Sequence, residues 1–200
     1  AEDKEYKAGV LLGVETDTLD ITGKVIKSKP VDLSKDIEKI VNSYQKTYMQ
    51  EVPIYSAIKV KGKKLYEYAR KGEKVELPKK EVTVKKIKLL SSDNDTFIIK
   101  ALVTKGCYIR SLIRDIGRSL DTYATMTTLT RTKQGTIDIK QTNTLEEVIK
   151  GKGILHGIDE ILDLPIIIVD KEEERKIKNG QKMPNKYHIN NKVIFKNKNN

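Results

Sequence analysis

One stretch limits what this chain can fold into more than any other: Lys105-Gly106-Cys107-Tyr108-Ile109-Arg110-Ser111-Leu112-Ile113-Arg114-Asp115-Ile116-Gly117-Arg118-Ser119-Leu120. Ile109, Leu112, Ile113, Ile116 and Leu120 recur at helical spacing, which predicts one buried face with Arg110, Arg114 and Arg118 projecting from the other. The run just upstream, Ile98 to Thr104, is apolar and rich in β-branched residues, and reads as a strand. Gly106 permits a sharp turn between the two and sets Tyr108 and Arg110 at the helix N-terminus. Unpaired amides and the positive dipole end would join Lys105 and Arg110 in attracting an anion, with the Tyr108 ring beside them for a planar ligand. The plainer alternative is a surface helix whose arginines are merely solvated.

The rest of the chain supplies a sheet for that helix. Tyr6, Ala8, Val10 and Leu12 alternate as in a strand, and Asp17 to Gly23 is a polar turn before an edge strand from Lys24 to Ser28. Asp17 and Asp20 could be paired catalytic carboxylates, but the favoured reading is turn caps, since no His, Lys or Cys stands near them in sequence to divide acid and base roles. Ile37, Ile40, Val41 and Tyr44 mark a helix with Asp32 or Ser34 as its cap. Tyr55 to Val60 reads as a strand, Lys61 to Lys63 as a turn, and Leu65 to Lys71 as a short helix closed by Gly72. Glu81 to Leu90 and Thr96 to Thr104 form a hairpin, and Tyr123 to Arg131 is a further strand with Met126 and Leu129 pointing inward. Thr144 with Glu147, and Asp170 with Glu173, are capping boxes of two later helices, with a buried strand from Pro165 to Val169 between them. Beyond Met183 the sequence turns to Asn and Lys, with Val193 to Phe195 either disordered or opening a further strand.

Charge narrows the function classes. The 200 residues carry a net charge of +11. Lys, Ile and Asn are abundant everywhere, so distribution matters more than the total. From Lys59 to Lys88 there are twelve Lys or Arg against four Glu, and Tyr48, Tyr55, Tyr66 and Tyr68 are interleaved with them. Cations among aromatic rings suit looped or single-stranded RNA, whose phosphates need neutralising and whose bases need stacking platforms. The competing reading is a lysine-rich hairpin with half-buried tyrosines. One cysteine and two histidines cannot close a zinc site. No apolar run approaches the roughly 20 residues needed to cross a bilayer, and the chain is expected to be cytoplasmic, with no membrane partner.

Five segments in order carry a family resemblance: Asp3-Lys4-Glu5-Tyr6, Leu12 to Gly23, Pro53-Ile54-Tyr55-Ser56-Ala57-Ile58-Lys59, Gly62 to Arg70, and Lys105 to Gly117. Together they resemble the TruB family of tRNA pseudouridine synthases, the last being similar to that family's KGTYIRSLxxDLG segment. The resemblance implies an α+β fold with a mostly antiparallel sheet flanked by helices. It implies isomerisation of the TΨC-loop uridine of tRNA to pseudouridine, by flipping the base out, detaching it from the sugar and rejoining it through C5, with no cofactor and no metal. Tyr6 would stack on the flipped uracil, Tyr108 and Leu129 would wall the pocket, and Arg110 would hold the catalytic carboxylate. Residues 59–80, with Lys59, Lys63, Lys64 and Arg70, would form a thumb-like insertion gripping the T-arm.

The family's nucleophilic Asp belongs to a GxLDPxAxG segment upstream of the DKxY motif, and no such segment stands in this sequence. Asp17 and Asp20 match a different family motif, and Cys107 stands where the family usually has Thr, without a base to make it a covalent catalyst. The expectation is therefore a TruB-like synthase truncated at both ends and inactive alone. Its catalytic domain would span residues 1–165, and residues 166–200 would begin a small C-terminal RNA-binding subdomain. The missing segment could act as a separate partner chain. The alternatives are a non-catalytic RNA-binding or RNA-folding module and a general polyanion binder.

Overall fold

The structure, a computed structural model, describes residues 2–197; Ala1 and residues 198–200, the outer ends of the two expected domains, lie outside the described residues. The chain forms two compact units, one through Ile139 and one from Lys140. The expected domain boundary after residue 165 falls inside the second unit.

In the first unit, β1 (Lys4–Leu12) leads through a left-handed Gly13 to a small hairpin of β2 (Val14–Thr16) and β3 (Val25–Ser28). Helix α1 (Ile37–Ser43) and β4 (Thr47–Glu51) follow. The two-residue strands β5 (Lys59–Val60) and β6 (Lys63–Lys64) then precede helix α2 (Leu65–Lys71). The long hairpin β7 (Lys79–Asp93) and β8 (Thr96–Val103) delivers the chain to α3 (Ile109–Ser119), after which come β9 (Ala124–Gln134) and β10 (Ile137–Asp138). Six strands make one antiparallel sheet in the order β10-β9-β1-β8-β7-β4. This is the α+β architecture that the sequence predicts.

Strand alternation decides which face is the core. Phe97, Ile99, Ala101 and Val103 of β8 are buried, and Ala8 and Val10 of β1 stand opposite Ile99 and Phe97. Onto that face pack Ile109, Leu112, Ile113 and Ile116 of α3, each 5% exposed or less, together with Val41 and Tyr44 from the α1 region. The predicted strand-to-helix corner is present, with Gly106 at φ +90°, a backbone conformation that side chains with a Cβ adopt only under strain.

Three local readings differ from the structure. The cap of α1 is Asp36, whose carboxylate accepts the Lys39 N–H, while Asp32 closes its own turn onto Ser34. The strand expected from Tyr55 is confined to Lys59–Val60, because residues 54–58 form a bend that lends its carbonyls to other elements. Arg114 does not project into solvent: it is 3% exposed, because β4 runs alongside α3 and presents Glu51 to it.

In the second unit, α4 (Leu145–Ile149) and α5 (Ile158–Ile161) precede β11 (Ile166–Val169), α6 (Lys171–Lys178) and β12 (Ile194–Asn197). Both predicted capping boxes form, Thr144 with Glu147 and Asp170 with Glu173. β12 pairs in parallel with β11, so the sequence after Met183 does reach a strand. Only Ile167 and Val169 of β11 are buried, which makes it a one-faced strand rather than a wholly buried one.

Gly117 lets α3 sit this close to β9. A Cβ there would lie 2.5 Å from the Ala124 Cβ, 2.7 Å from its backbone nitrogen and 2.9 Å from the Tyr123 carbonyl carbon. Alanine gains about 1 kcal/mol in helix propensity, but a clash with backbone cannot be relieved by a rotamer change and overpacking costs ~1–3 kcal/mol or more. Gly117→Ala is expected to destabilise the protein by about 2 kcal/mol net, read from the denaturant midpoint; an unchanged or higher midpoint would show that α3 is free to shift.

Candidate active site

β1 and β8 run antiparallel with Lys4 opposite Val103, so the end of β8, the start of β1 and the turn into α3 share one end of the sheet. Tyr6 is opposite Ala101 on β8, and Ala8 is opposite Leu129 on β9. Tyr6 and Leu129 thus lie on the face that α3 covers, at the end where α3 begins. Burial fades there: Leu129 is 44% exposed, and Tyr6 and Tyr108 are half-buried. Leu129 therefore does not join Met126 in the closed core, where the sequence left it able to point, but stands at its open edge.

Arg110 is the centre of this end. Its Nη1 donates to the Thr18 carbonyl at 2.7 Å and to Asp20 Oδ2 at 3.1 Å, and its Nη2 donates to the Tyr55 carbonyl at 2.9 Å. The guanidinium thereby ties the turn after β2 to the bend before the β5–β6 hairpin. A guanidinium has five N–H donors; the Nε–H and the second Nη2 hydrogen have no partner among the described residues. With a side-chain exposure of 22%, Arg110 is held on one edge and open on another.

Asp20 is held as firmly. Its Oδ1 accepts from the Thr22 N–H at 3.1 Å, and from the Thr18 hydroxyl at 3.0 Å. The turn itself is bonded to β9, where Ile21 N–H donates to the Met126 carbonyl and Met126 N–H to the Leu19 carbonyl. Burial pushes the Asp20 pKa up, but hydrogen bonds from Thr22 and Thr18, and the Arg110 charge, outweigh it and hold the carboxyl below its ordinary range. Asp17 remains a turn residue, accepting the Lys24 N–H at 2.8 Å. Sequence reasoning gave Asp20 the same structural role and missed the ion pair with Arg110, whose two members are ninety positions apart in sequence.

The helix start is partly occupied. Tyr108 N–H donates to Gln50 Oε1 at 2.8 Å, so a buried side chain already takes the amide at the cap. Cys107 is also closed off: burial pushes its thiol up to about 12, which leaves no thiolate near neutral pH and removes it as a nucleophile. Further along α3, Tyr44, Tyr48, Glu51, Arg114 and Asp115 line a cleft of about 450 Å³, and none of Tyr6, Tyr108, Arg110 and Leu129 is among its lining residues.

The basic insertion folds as a hairpin and a helix. Lys61 and Gly62 both have positive φ, as a tight hairpin turn requires, and Lys59 stands opposite Lys64. Lys59, Lys63 and Arg70 are exposed. Lys64 and Arg70 lie over the Tyr66 ring at 5.5 and 5.2 Å. Tyr68 is buried, its hydroxyl bonded to the Val60 carbonyl. Tyr68 is therefore no stacking platform, and the Tyr66 ring carries two cations of its own. Among the described residues no cluster of His, Cys, Asp and Glu is placed to hold a metal, and no helix is long and apolar enough to cross a membrane.

The Asp20 pair has a pH signature. A carboxyl whose folded pKa is lowered contributes stability above its unfolded value of about 3.9 and loses it as pH falls through the folded value. Asp20→Asn is expected to cost about 1 kcal/mol at pH 7, with the variant and unsubstituted curves converging below about pH 4. Denaturant midpoints at a series of pH values test this; parallel curves would mean that the Asp20 charge, with its Thr22, Thr18 and Arg110 partners, contributes nothing.

The model of the N-terminal domain of TruB family pseudouridylate synthases matches residues 1–109. The tRNA pseudouridine synthase B of Caldanaerobacter subterraneus is 40% identical over 195 residues, covering 96% of this chain and 68% of that protein. The enzyme of the same name from Oceanobacillus iheyensis is 40% identical over 192 residues, covering 90% and 63%. That from Fusobacterium nucleatum is 46% identical over 136 residues, covering 68% and 47%. The chain thus spans about half to two thirds of the length of these relatives. Two solved structures share the fold. A Cbf5-Nop10-Gar1 complex has a TM-score of 0.60 at 21% identity, covering 89% of this chain and 49% of that one. An H/ACA RNP bound to a substrate RNA containing 2′-deoxyuridine has a TM-score of 0.59 at 19% identity, covering 90% and 48%. The family match and the curated relatives together establish that this chain belongs to the TruB family of pseudouridylate synthases.

Proposed function

We propose that this chain supplies the pocket walls and RNA grip of a tRNA pseudouridine synthase acting on the uridine of the TΨC loop, and that it is inactive without a segment bearing the nucleophile. The observation that carries this reading is Arg110: a half-open guanidinium, fixed on one edge by Thr18, Asp20 and Tyr55, with its remaining donors unclaimed. A fork of donors held this way suits a second carboxylate, which it would keep ionised and aimed.

Tyr6, Tyr108 and Leu129 surround the place where a flipped uracil would lie beside that carboxylate. A base in a folded loop has to leave its stack before its C1′–N1 bond can break and a C1′–C5 bond form, with the C5 proton released to solvent. Half-buried aromatic rings next to an apolar side chain offer such a base a dry face and an edge. The exposed Lys59, Lys63 and Arg70, with Lys64 beside them, would meet the T-arm phosphates, and the reaction needs no cofactor. In this reading the protein works in the cytoplasm. A non-catalytic RNA-binding role is the alternative for this chain by itself, since its sequence lacks the GxLDPxAxG segment.

Tritium release from a T-arm hairpin carrying 5-tritiated uridine, with a gel-shift on the same RNA, tests the proposal. The chain is expected to bind the hairpin in preference to a scrambled version and to release no tritium. When a nucleophile-bearing segment restores turnover, Arg110→Ala is expected to lower it by at least about a thousandfold while changing RNA affinity by less than about threefold. Enzymatic release by the chain alone would place a nucleophile within these residues, and equal affinity for any RNA would leave only a polyanion binder.

A further inference from the structure

We propose that Gln50 is a positioning residue of this site: a buried amide on β4 that caps α3 from outside and so fixes where Tyr108 and Arg110 stand. The functional side of this inference rests on the role given to those two residues above.

The first N–H groups of a helix have no partner within it, and a short polar side chain at the cap position normally takes one of them. Asp36, Thr144 and Asp170 do this for their own helices. α3 cannot, because its cap position is Tyr108, which makes no side-chain capping bond. The ring that the site uses occupies the place where a cap would be. What β4 supplies is the other half of a capping box: Gln50 Oε1 takes the cap residue's own N–H, 2.8 Å from Tyr108 N, the amide that Glu147 and Glu173 take in their helices.

The surroundings of Gln50 fix its orientation. A backbone N–H only donates, so the amide oxygen must face Tyr108. The amide nitrogen then faces the Tyr48 hydroxyl at 2.8 Å and Cys107 Sγ at 3.8 Å. Gln50 is 1% exposed, so water cannot replace it, and losing it leaves a buried N–H without a partner. The next residue continues the clamp, with the Glu51 carbonyl accepting from Ser111 Oγ at 2.8 Å and Glu51 Oε1 accepting from Arg114 at 2.9 Å. Gln50 thus holds the cap residue of α3 and Glu51 the two turns that follow.

The consequence reaches Arg110 through geometry. Its bonds to Thr18, Asp20 and Tyr55 require the start of α3 to sit in one place, and a site tolerates roughly 0.5 Å of error. The turn from Lys105 to Cys107, hinged on a left-handed Gly106, is held at its ends by the Thr104–Thr83 bonds and by Cys107, which packs against the core and donates its N–H to the Thr104 carbonyl at 3.3 Å. Gln50 fixes the residue that follows it.

The test compares three variants of this chain by NMR and by RNA binding. Gln50→Leu removes both polar contacts at similar volume, Gln50→Glu keeps an acceptor for Tyr108, and Tyr44→Phe loosens α3 elsewhere, at its seam with the end of α1, where the Tyr44 hydroxyl meets the Asp115 carbonyl at 2.7 Å and Ser119 Oγ at 2.8 Å. Gln50→Leu is expected to speed hydrogen exchange at Tyr108 N–H about tenfold or more, to shift the Arg110 Nε–H resonance and to weaken binding of a T-arm hairpin. Gln50→Glu is expected to restore all three, and Tyr44→Phe to leave them as they are. Unchanged exchange at Tyr108 in Gln50→Leu would overturn the proposal, as would equal disturbance of Arg110 by Tyr44→Phe. Should Gln50→Leu fail to fold, loss of Tyr108 protection in Gln50→Glu overturns it and retention supports it. If the unsubstituted chain shows no preference for the hairpin, the reading of function fails, while the two NMR readouts still decide the role of Gln50.

Discussion

The seat of α3 on the sheet is the constraint on which the first unit depends. Four apolar side chains of this helix, Ile109, Leu112, Ile113 and Ile116, with Leu120 at its C-cap, pack into the core that β1 and β8 share. At roughly 1.5–3 kcal/mol for each such residue fully buried, this face is a large part of what holds the unit together. The same seat determines the site, because Arg110 leaves the helix one residue after the buried Ile109. A helix held along its length by apolar contact and at its start by Gln50 is a stiff base for a guanidinium. Stability and function therefore draw on one packing arrangement, and a shift that relieved one would disturb the other.

Arg110 itself combines two kinds of partner. Two of its acceptors are backbone carbonyls, of Thr18 and Tyr55, and one is the Asp20 carboxylate. Carbonyl oxygens orient the group without cancelling its charge, whereas a carboxylate does both. The single ion pair is shared with Thr18 and Thr22, which also donate to Asp20, so the carboxylate's charge is spread over several donors. The positive end of the pair keeps part of its attraction for another anion. Arg114, four residues on, shows the opposite case: Glu51 and Asp115 both pair with it at 2.9 Å and it is closed to solvent. The two arginines have the same period in sequence and different chemistry, because β4 reaches one and not the other.

Much of the fold was legible. The alternation in β1, the glycine turn before α3, the helix closed by Gly72 and the two capping boxes all follow from local rules that act within a few residues. What could not be read was set by partners far away in the chain. The burial of Arg114 depends on Glu51, the Asp20 pair on a residue ninety positions away, and the occupied cap of α3 on Gln50. Gln50 carried one faint signal: a cap position held by a tyrosine leaves a helix N-terminus in need of an acceptor from elsewhere. The reading of Asp32 or Ser34 as the cap of α1 failed for a smaller reason, since Asp32, Ser34 and Asp36 all satisfy the capping pattern and only backbone direction separates them.

Positive charge, the most conspicuous property of the composition, carries less of the functional argument than a single arginine does. Lysines are not confined to the thumb-like hairpin. On the sheet face turned away from α3, Lys100 stands directly opposite both Lys7 and Lys88, an arrangement that costs a few tenths of a kcal/mol per pair or more, with Glu5 pairing only Lys100 among the three. Within the hairpin, Lys64 and Arg70 share the Tyr66 ring and Lys63 pairs with Glu73 at 3.5 Å. Lysine at any one of these positions is thus compatible with a solvated surface, and the count alone would fit any polyanion. Arg110 differs because its surroundings are specific: a helix start pinned by a buried amide, a turn bonded to β9, and a bend that lends a carbonyl. Three separate parts of the chain converge on one guanidinium and still leave some of its hydrogens unclaimed, an arrangement that general attraction to RNA does not require and that positioning a reacting carboxylate does.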